Sequence, residues 1–145
     1  MDMNDKTKTD PLEKLFKDSS TIQAEQREKL ANLLEPYVIL SKDKDSKLMN
    51  FKQNFISLIN VNKVEVVFLA EKARALYLND EKNEGLGQTD LIALKIMPAG
   101  SVKSSLNKLS KDKYVIQNAK GKYMLPNYRL PDLFMKYSGG NVNEK

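Results

Sequence analysis

Apolar side chains recur at helical spacing in several separate stretches of the chain. Residues 11–17 open with a proline and read as a short helix with Pro11 in its first turn. In residues 21–34, Ile22, Leu30, Leu33 and Leu34 fall near a 3.6-residue period, with Thr21 as the expected N-cap and Glu35-Pro36 as the stop. Tyr37-Val-Ile-Leu40, bounded by Pro36 and the polar cluster 41–47, predicts a strand followed by a turn. Phe51, Phe55, Ile56, Leu58 and Ile59 suggest a short helix that breaks near residue 60. The firmest helix runs from residue 62 to 78. Val64, Val67, Phe68, Ala70, Ala73, Ala75, Leu76 and Leu78 give it a broad apolar face, with Glu65, Glu71, Lys72 and Arg74 expected opposite.

After the loop 81–87, residues 88–95 predict a short helix, which leads through Met97-Pro98-Ala99-Gly100 into a helix over 101–111. In that helix Val102, Leu106 and Leu109 lie on one side, and Lys103, Ser104, Asn107, Lys108 and Lys111 on the other. Two β-favouring runs, 114–118 and 123–125, flank a tetrapeptide containing Gly121 and predict a hairpin. Residues 131–137 add a last short helix whose Leu133 and Phe134 pack back. The first ten and last eight residues are polar or Gly/Asn-rich and read as frayed tails, and there is no internal repeat.

Composition narrows the chemistry. The 145 residues include no His, Cys or Trp, which removes the imidazole base, the thiolate nucleophile, disulfides and the usual zinc ligands. A chain of this length can bury one real core. Its longest apolar stretches, such as 66–70, fall far short of the ~18 residues that span a bilayer, so no membrane partner and a cytoplasmic location are expected. Net charge is +5, and it is segregated. Residues 1–100 carry 15 basic and 16 acidic side chains, whereas residues 101–145 carry 9 basic and 3 acidic. The last third is therefore the candidate anion-facing surface.

Helix, short helix through a tight turn, exposed basic helix and basic-tipped hairpin is the order of a winged helix-turn-helix domain. The stretch Glu84-Gly-Leu-Gly-Gln-Thr-Asp-Leu-Ile-Ala93, then Met97-Pro-Ala-Gly-Ser-Val-Lys-Ser-Ser-Leu-Asn-Lys-Leu109, then Tyr114-Val-Ile resembles that superfamily's helix 2, turn, helix 3 and wing entry. The resemblance covers about residues 62–125. Two positions depart from it. Gly87 stands where many members cap helix 2 with Ser or Thr, and Lys113 stands where many have Gly, so a left-handed turn there is strained or the helix ends differently.

With the elements read along the rest of the chain, this gives an α+β, mostly helical protein with a 1–60 helix/strand extension, a 61–137 winged helix-turn-helix domain, which the resemblance implies, and a 138–145 tail. It implies duplex DNA as partner, with helix 3 in the major groove and a 118–123 wing on the backbone. The expected role is transcriptional regulation in a prokaryote, its plasmid or its virus, at the nucleoid, without catalysis or cofactor. Ser101 and the amides near Gly100 would meet a phosphate, Lys103, Lys108 and Lys111 the backbone, and Ser104 lies in the same outward set. Asn107 is the candidate base reader, and Lys120 and Lys122 form the wing tip. The alternative is a winged-helix module that docks on a protein in a transcription or replication assembly, and an RNA-binding variant is a third reading. The N-terminal helix either packs on this domain or forms a homodimer. Of the acidic groups, Asp43 and Asp45 lack the spacing of a calcium loop, and Asp80, Glu81 and Glu84 are expected to keep a loop solvated.

Overall fold

A computed structural model describes residues 10–138. The architecture is mostly helical with two small antiparallel two-stranded sheets. The expected tails lie outside the described residues except at their inner ends. There Asp10 caps a 3-10 turn, Pro11–Leu15, by accepting from the Leu12 amide at 2.9 Å, and Ser138 closes the last helix. That turn buries nothing and leaves Leu12, Leu15 and Phe16 on the surface.

Helix α1, Ser19–Leu34, begins two residues earlier than its sequence signal. Asp18, not Thr21, holds the N-cap position, and it makes no side-chain capping bond. Only the C-terminal half of the helix is anchored: Leu30 and Leu34 are in the core, while Ile22 is half exposed. Through them α1 packs on the central helix and on the last one, so the extension shares one core with the rest of the chain.

Strand β1, Val38–Leu40, pairs antiparallel with β2, Met49–Phe51, in the register Val38↔Phe51, Ile39↔Asn50, Leu40↔Met49. This corrects the helix expected to begin at Phe51. A three-residue strand shows too little alternation to reveal its period, whereas the cross-strand bonds, extended by Lys52 N to Tyr37 O at 2.8 Å, decide it. What remains helical is α2, Gln53–Ile56, whose Phe55 stacks on Phe51 with centroids 4.1 Å apart.

Helix α3, Asn60–Tyr77, is the axis of the molecule. From Val64 to Ala75 nearly every side chain is buried, because α1, the β1–β2 hairpin and the later helices surround it. It ends where Asn79 takes a left-handed conformation (φ 54°) and the Asp80 amide bonds back to Ala75 O at 2.8 Å. Helix α4, Gln88–Ala93, starts at Gly87, whose amide donates to Asp90 Oδ2 at 2.7 Å; this bond substitutes for the side-chain cap that glycine lacks. The chain turns at Lys95 (φ 58°) and enters α5, Ala99–Lys111.

Val102, Leu106 and Leu109 of α5 are buried, and the helix packs on α3 and α4. Beyond it, β3 (Ile116–Gln117) and β4 (Tyr123–Met124) form a hairpin shorter than the predicted runs. Leu86 and Tyr123 exchange backbone bonds of 2.8 and 2.9 Å, so the segment before α4 adds a third rung to it. The chain closes with α6, Leu130–Ser138, in which Leu133 is buried and Phe134 is packed against the core as expected.

Lys113 has φ 65°, the strained left-handed turn anticipated from its departure from glycine. Relief of that strain is testable. Lys113→Gly should raise stability by about 0.5–1 kcal/mol, read as a higher urea midpoint. A lower midpoint would mean that the turn is not the strained element.

Candidate functional site

The polar face of α5 forms a continuous exposed row. Lys103, Ser104, Asn107, Lys108 and Lys111 all face solvent, and Ser101 is half-buried at the first turn. The row is outward because Val102, Leu106 and Leu109 occupy the opposite side of the same helix. Among the described residues Lys103 and Lys111 have no acidic partner, and Lys108 meets Asp112 only loosely at 3.9 Å. Ser101, Ser104 and Lys108 also border a shallow hollow against Asn60 and Val61 at the start of α3. Residues 10–60 do not cover the row.

The hairpin tip differs. Lys120 Nζ donates to Asn83 Oδ1 at 3.0 Å and to Lys82 O at 3.4 Å, while Lys122 Nζ lies 2.8 Å from Asp90 Oδ2. Both lysines are exposed, but in this conformation they hold the hairpin to the 80–90 segment. Burial pushes the Asp90 carboxyl up, yet hydrogen bonds from Lys122 and the Gly87 amide outweigh it and keep it below the ordinary carboxylate range.

Beneath the hairpin lies a cluster that the sequence reading placed on the solvent side. Glu71 is fully buried. It accepts Arg74 Nε (2.8 Å) and Nη2 (3.0 Å) and the Gly85 amide (3.0 Å), and it is ion-paired with the Lys47 ammonium (2.8 Å). Arg74 Nη1 reaches Asp80 Oδ2 at 3.0 Å, and Asn83 Nδ2 donates to Asp80 Oδ1 at 2.8 Å. The Asn83 bond and then the Arg74 guanidinium hold the Asp80 carboxyl below its usual value. Gly85 is needed where it sits. Its φ is 138°, and a Cβ there would stand 2.8 Å from Asn118 Nδ2.

Asp80 and Glu84 therefore do not solvate a loop; they are buried and anchor it. The opposite face of α3 is likewise closed. Glu65 accepts Tyr137 Oη at 2.6 Å and Lys136 Nζ at 2.7 Å, which ties α6 to α3. Burial, reinforced by the Glu65 charge, raises the Tyr137 hydroxyl well above the tyrosine range. The available signal was the near-continuous apolar run 64–70, too wide for a helix with one buried face, together with the i, i+3 spacing of Glu71 and Arg74.

Glu84 is the outlier. Its Oε2 is ion-paired with Lys72 Nζ at 3.0 Å, and Lys72 also donates to Asn127 Oδ1 at 2.8 Å. Burial raises the Glu84 carboxyl, with Lys72 opposing. The folded chain then binds this proton more readily than the unfolded chain. Its contribution favours folding at low pH and is lost as pH rises from the ordinary glutamate range through the raised folded value. In paired urea titrations, the stability of the native chain relative to Glu84→Gln should decline across that window. A difference that grows with pH would reverse the assignment.

Among the described residues no group of His, Cys, Asp and Glu is placed to hold a metal ion, and no helix is long and apolar enough to cross a membrane. Compared with protein-family models, characterised proteins and solved structures, the chain matches none.

Proposed function

We propose that the chain is a winged helix-turn-helix protein that binds duplex DNA and acts in the regulation of transcription. One observation carries the reading: an α-helix packed by its apolar side presents an uncovered row of Lys103, Ser104, Asn107, Lys108 and Lys111. A helix of this width fits the major groove, and lysines on it meet phosphates without reading sequence. The order of α3, α4, α5 and hairpin, with the Leu86 rung joined to Tyr123, supports the same assignment. Asn107 is the side chain suited to read a base, since its amide both donates and accepts. Lys120 and Lys122 would have to exchange Asn83 and Asp90 for phosphate to take part, so the wing contributes less than the helix. A protein-docking role is less supported, because Tyr123 and Met124 are half-buried and leave little apolar surface there.

The test is a fluorescence-anisotropy titration on a mixed-sequence duplex at several salt concentrations. Joint replacement Lys103→Ala and Lys108→Ala should weaken binding and reduce the slope of log affinity against log salt by roughly one per lost phosphate contact. An unchanged titration would remove α5 as the DNA surface.

A further inference from the structure

We propose that the hollow where α3 and α5 begin binds a phosphate group. Its wall is made by Asn60 and Val61, the first two residues of α3, and by Gly100, three serines and Lys108 of α5. Its volume is about 320 Å³, at the small end of the range for ligand sites. Every polar side chain in that wall can donate a hydrogen bond, and none is a carboxylate. An anion is therefore favoured over a cation or a zwitterion. A phosphate suits it better than a carboxylate, because its oxygens point in several directions and can meet donors from two helices at once.

Both helices open without a side-chain cap: the N-cap positions are Ile59 and Pro98, and neither makes a capping bond. The amides of Asn60, Val61 and Gly100 accordingly have no acceptor among the described residues. Two helix N-termini then place partial positive charge at one hollow, and Lys108 adds a full charge held only by the 3.9 Å contact with Asp112. Ser105 supplies the independent observation. It is 6% exposed on the flank of α5 that carries Val102, Leu106 and Leu109, and its hydroxyl makes no hydrogen bond to any described residue. A buried hydroxyl without a partner is uncommon. This one is not sealed, because Ser105 forms part of the wall, and a phosphate oxygen in the hollow is the acceptor it lacks. The proposal rests on the DNA reading only for the source of the phosphate, which is either a duplex backbone or free phosphate.

The test uses the full chain without DNA, titrated with inorganic phosphate at constant ionic strength while backbone amide shifts are followed by NMR. The amides of Asn60, Val61, Gly100 and Ser105 should move saturably with a Kd below about 10 mM, whereas chloride and acetate should bind at least about tenfold more weakly. Asn60→Asp sets a carboxylate at the rim and should weaken phosphate binding about tenfold; an acid is favoured in the first turn of a helix, so the fold is kept. Ser105→Ala deletes the hydroxyl and should weaken it about threefold. Lys42→Ala removes one positive charge outside the hollow and should bind phosphate as the native chain does. The source follows from repeating the duplex titration with Asn60→Asp. A parallel loss assigns the hollow to the DNA backbone, and an unchanged duplex affinity assigns it to free phosphate; both results keep the site. Failure of the α5 row to bind duplex likewise leaves the phosphate titration standing. The proposal is overturned if no saturable shift appears at the hollow, if chloride or acetate matches phosphate, or if Asn60→Asp and Ser105→Ala both bind phosphate unchanged.

Discussion

Arg74→Ala is expected to lower the free energy of unfolding by about 3–5 kcal/mol. The guanidinium is 3% exposed and supplies three of the directed bonds in the cluster: two to Glu71 and one to Asp80. Truncation removes the positive partner and leaves the fully buried Glu71 with only Lys47 and the Gly85 amide. The cost arises mainly from this stranded carboxylate, since an intact buried ion pair contributes far less than its Coulomb attraction suggests. The measurement is a urea midpoint at unchanged m-value, with Lys111→Ala as the exposed comparison, expected within about 0.5 kcal/mol of the native chain. A cost below about 1 kcal/mol would mean that water reaches Glu71 and replaces the lost bonds. The same variant should loosen the 80–87 loop and, through Leu86 and Asn118, the hairpin; amide exchange at Tyr123 would report it.

The second large effect is expected from Phe68→Ala, at about 3–5 kcal/mol. Phe68 is 1% exposed at the middle of α3, where helices close in from several sides and cannot collapse into the volume left by a ring. Phe16→Ala is the informative contrast. Its ring is 75% exposed beyond the 3-10 turn, so its removal should change stability by about 0.5 kcal/mol or less. Equal effects would contradict the central position of α3. By composition the two phenylalanines are equivalent, and only their surroundings separate them.

The α3–α5 region was legible to different degrees. In α5 the apolar side is three residues, Val102, Leu106 and Leu109, at i, i+4 and i+7. One period then predicts both the packed side and the exposed row, and the burial of those three agrees with it. In α3 the same period misplaces the charged residues. A helix surrounded on all sides has no solvent face, so Glu65, Glu71, Lys72 and Arg74 had to be satisfied inside. β2 was hidden for another reason. Its three residues take their conformation from β1, and no local preference of Met49-Asn50-Phe51 announces that partner. The hollow beside Ser105 was invisible as well, because its wall joins the starts of α3 and α5, distant in sequence.

What the amino-acid order determined by itself was local or summed. It set the approximate extents of the longer helices, the departure at Lys113, the hairpin around Gly121, the concentration of positive charge after residue 100 and the exclusion of imidazole and thiolate chemistry. These follow from backbone sterics, from the 3.6-residue period and from counting, none of which requires knowledge of neighbours. Tertiary structure alone decided that α1 joins the main core, that an ion cluster lies under the hairpin, that Lys120 and Lys122 turn back toward Asn83 and Asp90, and that Glu84 is buried beside Lys72. The physical reason is that burial and charge pairing depend on which distant segments exclude water from a group, and that is a property of the packed chain.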